Sequence, residues 1–211
     1  MAPDDAPDDV PAERADAARN RVRLPEAAAR LVAERGAEHV TMHEVAAAAG
    51  VGKGTLFRRF GDRDGLLLAL LGEAEADVHE AYTSGPPPLG PGAPARDRLT
   101  AFGSALVERV ATKADLGAAL GRQVVHERRY GSETGQAFHH HVSTLLHDTG
   151  VDTDPDMLAH ALLAFAYFET GDYLHVECGI PVSPLQATWV DLVRRVTRDE
   201  SGPAAAGRMG P

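Results

Sequence analysis

Outside its two ends and one interior segment, the chain repeats apolar residues at three- and four-residue spacings. No stretch alternates apolar with polar in the way a half-buried strand must. That pattern restricts the fold to helices packed on helices, an all-α protein. The stripes are Ala27, Leu31 and Val32; Leu66, Leu67, Leu70 and Leu71; and Leu99, Phe102, Leu106 and Val110. They continue as Leu116, Leu120 and Val124; Phe138, His141, Val142 and Leu145; and Leu185, Trp189, Leu192, Val193 and Val196. The segment from Pro155 to Glu177 is apolar on two sides, Leu158, Leu162 and Phe165 on one, Leu163, Tyr167, Thr170 and Leu174 on the other, so it must be covered on both.

The breaks set the organisation. Ser84–Pro94 holds five prolines and three glycines in eleven residues and cannot continue a helix. Residues 1–18 carry six acids against one Arg, with Ala and Pro between them, and are expected to be a disordered acidic arm. The Gly/Ala/Pro-rich residues 201–211 are expected to be a disordered tail. Between them lie a short segment at 19–64 and a larger helical domain at 65–200. No apolar run approaches the roughly 18 residues needed to span a bilayer, and the start, Met1-Ala-Pro-Asp-Asp, lacks the features of a signal peptide. The expected location is the cytoplasm, with no membrane partner. A single cysteine, Cys178, excludes an intramolecular disulfide and a thiolate metal cage.

The segment 19–64 has its own internal logic. Thr41-Met-His-Glu44 fits a capping box that starts a short helix running through Ala49. Gly50 follows as a turn residue, and a further short helix covers Gly52–Phe60. Small or apolar Val45, Ala46 and Ala49 let that helix cross closely. Val51, Leu56 and Phe60 turn inward, leaving Gly52, Lys53, Gly54, Thr55 and Arg58 outward. Asp62 is placed to cap the next helix. This is a helix-turn-helix, whose second helix enters a DNA major groove with its N-terminal residues nearest the bases. The net charge of −10 argues against nucleic acid until its distribution is read. Residues 1–18 carry −5 and residues 65–211 carry −8, but residues 19–64 hold nine Lys and Arg against six acids, a net +3. Screening limits the reach of distant acids to roughly 8–10 Å, so the local balance governs attraction to phosphate.

Arg30-Leu-Val-Ala-Glu-Arg-Gly36, Thr41-Met-His-Glu-Val-Ala-Ala-Ala-Ala-Gly-Val-Gly-Lys-Gly-Thr-Leu-Phe-Arg-Arg-Phe60 and Asp62-Arg-Asp-Gly-Leu-Leu67 together resemble the DNA-binding domain of the tetracycline-repressor (TetR) family over residues 19–72. The resemblance implies phosphate contacts from Thr41 and Arg63, groove contacts from Lys53, Gly54 and Thr55, and Phe57 packed against the DNA backbone. Phe57 stands where Tyr is frequent, so a hydroxyl contact is absent, and Gly61-Asp62 replaces the frequent Pro-Ser. Pro25 suggests that the first helix begins near it or is kinked there. Arg19, Arg21 and Arg23 could contact phosphate or form a solvated basic arm.

By the same resemblance the last two helices pair with those of a second copy, giving a homodimer on a palindromic double-stranded operator. Leu163, Tyr167, Leu174, Trp189, Leu192, Val193 and Val196 are the interface candidates, with Trp189 equally placed for the chain's own core. The intervening helices would enclose a pocket for a small-molecule effector that relieves repression, lined by Phe102, Leu106, His126, Phe138, His141, Phe165 and Phe168. Glu169 and Asp172 fit a pocket or a dimer edge. Gly50-Val-Gly-Lys-Gly-Thr55 is not a phosphate loop, because Ala47 stands where that motif needs Gly and Gly54 follows Lys53. Consecutive His139, His140 and His141 face different directions on a helix, so no metal or other cofactor is expected. No nucleophile–base pattern supports an enzyme. The alternative is a protein-interaction or structural adaptor that keeps the fold without sequence-specific DNA binding.

Overall fold

A computed structural model describes residues 10–121, 132–166, 170–171 and 173–197. Every regular element among them is helical: α1 (Val10–Arg35), a 3-10 turn (Ala37–His39), α2 (Met42–Ala49), α3 (Lys53–Phe60) and α4 (Arg63–Ser84). After the Pro/Gly-rich break come α5 (Ala95–Thr112), α6 (Ala114–Leu120), α7 (Glu133–Asp148), α8 (Pro155–Ala166), a π turn (Tyr173–Glu177) and α9 (Val182–Val196). The chain divides into two compact units, Met1–Glu73 and Ala74–Pro211, with the division inside α4. No helix among the described residues is long and apolar enough to cross a membrane.

In the first unit, α1 packs on α2 and α2 on α3. Two expectations change here. α1 starts at Val10, so residues 10–18 of the expected arm are helical, and Pro25 lies inside the helix rather than at its start. Alanine at 12, 15, 17 and 18 favours that outcome, since it is the strongest helix former. Proline deprives α1 of one backbone donor, but Leu24, Ala27, Ala28, Leu31 and Val32 around it are buried, and their burial offsets the loss.

In the second unit, α5 packs along α9 and α7, and α7 along α8. The tightest contact is between α5 and α9. Gly103 has no side chain, and Trp189 fills the space. A Cβ on Gly103 would lie 1.6 Å from the indole Cε2. Trp189 is 0% exposed and its Nε1–H donates to the Leu99 carbonyl at 3.1 Å, which satisfies its one polar group in the core. Arg96 at the start of α5 donates to the Thr197 hydroxyl (2.8 Å) and to the Thr197 carbonyl, closing the C-terminal end of α9.

Candidate nucleic-acid interface

The first unit is built to hold α3 outward. Thr41 caps α2: its hydroxyl accepts from the Glu44 N–H at 3.3 Å, and Glu44 Oε2 accepts from the Thr41 N–H at 3.1 Å and from its hydroxyl at 2.7 Å. Arg35 at the end of α1 donates to Glu44 Oε1 at 2.9 Å. The hydrogen bonds from Thr41 first, and then the Arg35 charge, hold the Glu44 carboxyl below its usual range. The start of α2 is thereby tied both to its own first turn and to α1.

Gly50 then reverses the chain. Its φ of 68° and ψ of 32° are left-handed, which a residue with a Cβ rarely adopts. Its N–H donates to the carbonyls of Ala46 and Ala47, while Val51 N–H donates to Ala46 O at 3.0 Å. These bonds satisfy carbonyls that the helix end would otherwise leave open. α3 follows two residues later and is anchored by Leu56, which is 0% exposed.

The predicted DNA residues fall as follows. Gly52, Lys53, Gly54, Phe57 and Arg58 are exposed, and Thr55 is half-buried. Phe57 is 48% exposed, a large apolar ring held in water. Arg59 is also exposed, and its guanidinium lies 4.8 Å over the ring of Phe60. Thr41 is exposed, but its hydroxyl and its N–H are engaged by Glu44. Arg63 has an internal role that the sequence did not suggest: Nε donates to Val40 O at 3.2 Å and Nη2 to Ala37 O at 2.7 Å. It therefore pins the start of α4 to the loop ahead of α2. Asp62 Oδ1 accepts from Gly65 N–H at 2.8 Å, the expected cap of α4. His43, exposed on the first turn of α2, is a polar group on this unit's surface that the sequence reading passed over.

Gly52 and Gly54 differ from Gly50. Neither has a positive φ, and beyond its chain neighbours and the adjoining helix backbone a Cβ on either would meet nothing within 4 Å. The chain's own packing does not demand glycine at either position.

The expected pocket residues gather in the second unit. Phe102, Leu106 and Phe138 are fully buried, and the rings of Phe102 and Phe138 meet edge-on at 5.5 Å. His141 joins them 4.9 Å from Phe102, and Phe165 packs partly buried against the same core. His126 and Phe168, like Tyr167, Glu169 and Asp172, lie outside the described residues. The sequence reading missed Tyr82, which stacks on His141 at 4.1 Å, and His79, whose Nδ1 lies 2.8 Å from the Tyr82 hydroxyl. Their three-residue spacing on α4 was the available signal. The three consecutive histidines diverge: His139 lies 4.1 Å from His160 of α8, His140 faces solvent and His141 faces the core.

The interface candidates need correction. Leu163, Trp189 and Val193 belong to the second unit's own core, at 2%, 0% and 0% exposure, so they have no surface left to offer a second copy. Leu174, Leu192 and Val196 are only partly buried against that core. Among the described residues of this unit, the large apolar side chains that do face solvent are Met157, Tyr173, Val176 and Val190.

Residues 24–70 match the family model described as bacterial regulatory proteins, tetR family. A helix-turn-helix-type transcriptional regulator of Staphylococcus aureus (strain USA300) is 43% identical over 53 residues, 25% of this chain and 29% of that protein. The chain thus matches under a third of the length of this curated relative. Solved structures match more widely at lower identity. A TetR-family transcriptional regulator from Streptomyces coelicolor has a TM-score of 0.60 at 21% identity, over 88% of this chain and 97% of its own. The Thermus thermophilus repressor FadR, a TetR-family protein solved with lauroyl-CoA, has a TM-score of 0.54 at 19% identity, over 89% of this chain and 100% of its own. The fold of the chain is that of these regulators.

Proposed function

With its N-terminal helix-turn-helix belonging to the TetR family, we propose that the chain is a transcriptional regulator: a dimer that represses from a palindromic operator and is released by a small-molecule effector. The observation that carries this reading is the outward face of α3, where Lys53, Thr55 and Arg58 surround two glycines that the chain's own packing does not require. A backbone without Cβ atoms can approach base edges and phosphates closely, and the neighbouring cation supplies attraction. Among the two arginines and one lysine of α3, Lys53 and Arg58 are the groove residues. Thr41 and Arg63 act chiefly by holding the frame, since their polar groups are engaged within the unit. The adaptor reading is not favoured, because the curated relative is a helix-turn-helix regulator.

The effector half rests on the aromatic core of the second unit, and the dimer on the solvent-facing Val190, Val176, Tyr173 and Met157. A ligand releases DNA only by its differential affinity for the two conformations of the dimer. Genome-fragment capture by the purified protein identifies the operator, and gel retardation then measures its affinity. Lys53→Ala is expected to reduce the salt slope by about one if Lys53 meets a phosphate. If it reads a base, the loss is about 1–3 kcal/mol with relaxed preference at one position. Capture of no specific fragment would overturn the regulator reading.

A further inference from the structure

Basic groups gather around His141 in the second unit. The groups whose charges act on His141 are Arg98, His140 and His79, all of them basic. Arg98 is half-buried, and its Nη2 donates to the Tyr82 carbonyl at 3.1 Å. Its Nε is buried with no acceptor, and no carboxylate pairs with it among the described residues. His141 Nε2 is likewise buried with no partner. Tyr82 joins the two: its carbonyl holds Arg98, and its ring stacks on His141 at 4.1 Å and 24°. Phe102 adds an apolar edge, 5.3 Å from Tyr82 and 4.9 Å from His141.

A guanidinium partly withdrawn from water without a counter-ion is unfavourable, and buried nitrogens without partners are rare enough to need a reason. We infer that the effector is an organic carboxylate, whose acid group meets Arg98 Nε and His141 Nε2 while its apolar body lies along Tyr82 and Phe102. The inference rests on the reading of the chain as a ligand-responsive regulator. A cationic ligand would be repelled by Arg98, and a neutral one would leave that charge uncompensated. The carboxylate would also reverse the electrostatics of His141. Burial first, and then Arg98, His140 and His79, now hold its imidazole at about 4, below the ordinary 6.5.

The test uses the full chain and defined probes: saturated carboxylates of graded length, phenylacetate, and the amides and amines of the same carbon skeletons. Calorimetry is expected to show at least one acid binding about tenfold or more tightly than its amide and amine. Arg98→Gln is expected to weaken that acid by about tenfold or more, with Arg98→Lys retaining most of the affinity. On the unaltered protein, NMR titration of the His141 ring should show its pKa rising from about 4 toward 6.5 when the acid is bound. An amide as tight as its acid, an affinity unchanged in a folded Arg98→Gln, a His141 pKa that does not rise, or no acid binding at all would overturn the assignment. Retention of the captured operator fragment is measured on the same preparations. DNA binding without acid binding sinks the carboxylate and leaves the regulator standing; acid binding at Arg98 without any DNA binding does the reverse.

Discussion

A Cβ on Gly54 would meet no atom of the chain outside its immediate surroundings, and glycine is a poor helix former. Gly54→Ala should therefore raise stability, by up to about 1 kcal/mol, and shift thermal unfolding upward. If the DNA backbone or a base comes close at this point, the same substitution weakens operator binding in a gel-retardation titration. Opposite signs in the two measurements are the expected result; improved stability with unchanged DNA affinity would remove Gly54 from the interface. His141 supplies a second residue-scale prediction. Its folded pKa of about 4 lies below the ordinary 6.5, so above pH 6.5 the ring is neutral in both states and its contribution to stability is complete. As pH falls from 6.5 toward 4 the unfolded chain takes up the proton first and stability declines, levelling off below 4. Denaturant unfolding of the chain and of His141→Gln across that range should give curves whose difference shrinks as the pH falls.

At the scale of the element, what the sequence made legible was local. The Thr41–Glu44 box, the Gly50 reversal and the Asp62 cap each depend on residues within four positions of one another, and each stands where their chemistry requires. What escaped was set at long range. Arg63 is bonded to carbonyls 23 and 26 residues away, and periodicity carries no trace of that. Trp189 lies on an apolar stripe that could face the core or a second copy. Only the missing side chain at Gly103, in another helix, decides for the core. A local rule makes Pro25 either a helix start or a kink, and the buried stripe from Leu24 to Val32 carries α1 through it. Gly103→Ala tests the α5–α9 contact. With its Cβ 1.6 Å from the indole, the helices must separate, and a loss of about 1–3 kcal/mol or more is expected in chemical denaturation. A change under about 0.5 kcal/mol would show that the two helices give way easily.

At the scale of the whole molecule, the regulator reading requires two copies. The second unit leaves Val190 at 40%, Tyr173 at 51%, Val176 at 57% and Met157 at 62% exposure, apolar groups that a partner would cover. Val190→Glu is expected to convert the dimer to a monomer in sedimentation velocity and to weaken operator binding with it. A dimer that survives the substitution would place the association elsewhere.

The aromatic residues are unevenly shared between the two units. The single tryptophan, Trp189, and all four tyrosines stand after residue 73, while the first unit has only the phenylalanines Phe57 and Phe60. Light absorbed near 295 nm therefore excites one buried indole in the larger unit, and the helix-turn-helix is silent at that wavelength. Emission thus follows melting of the larger unit alone, far-ultraviolet dichroism follows both, and any gap between the two transitions reads out the independence of the first unit without an added label.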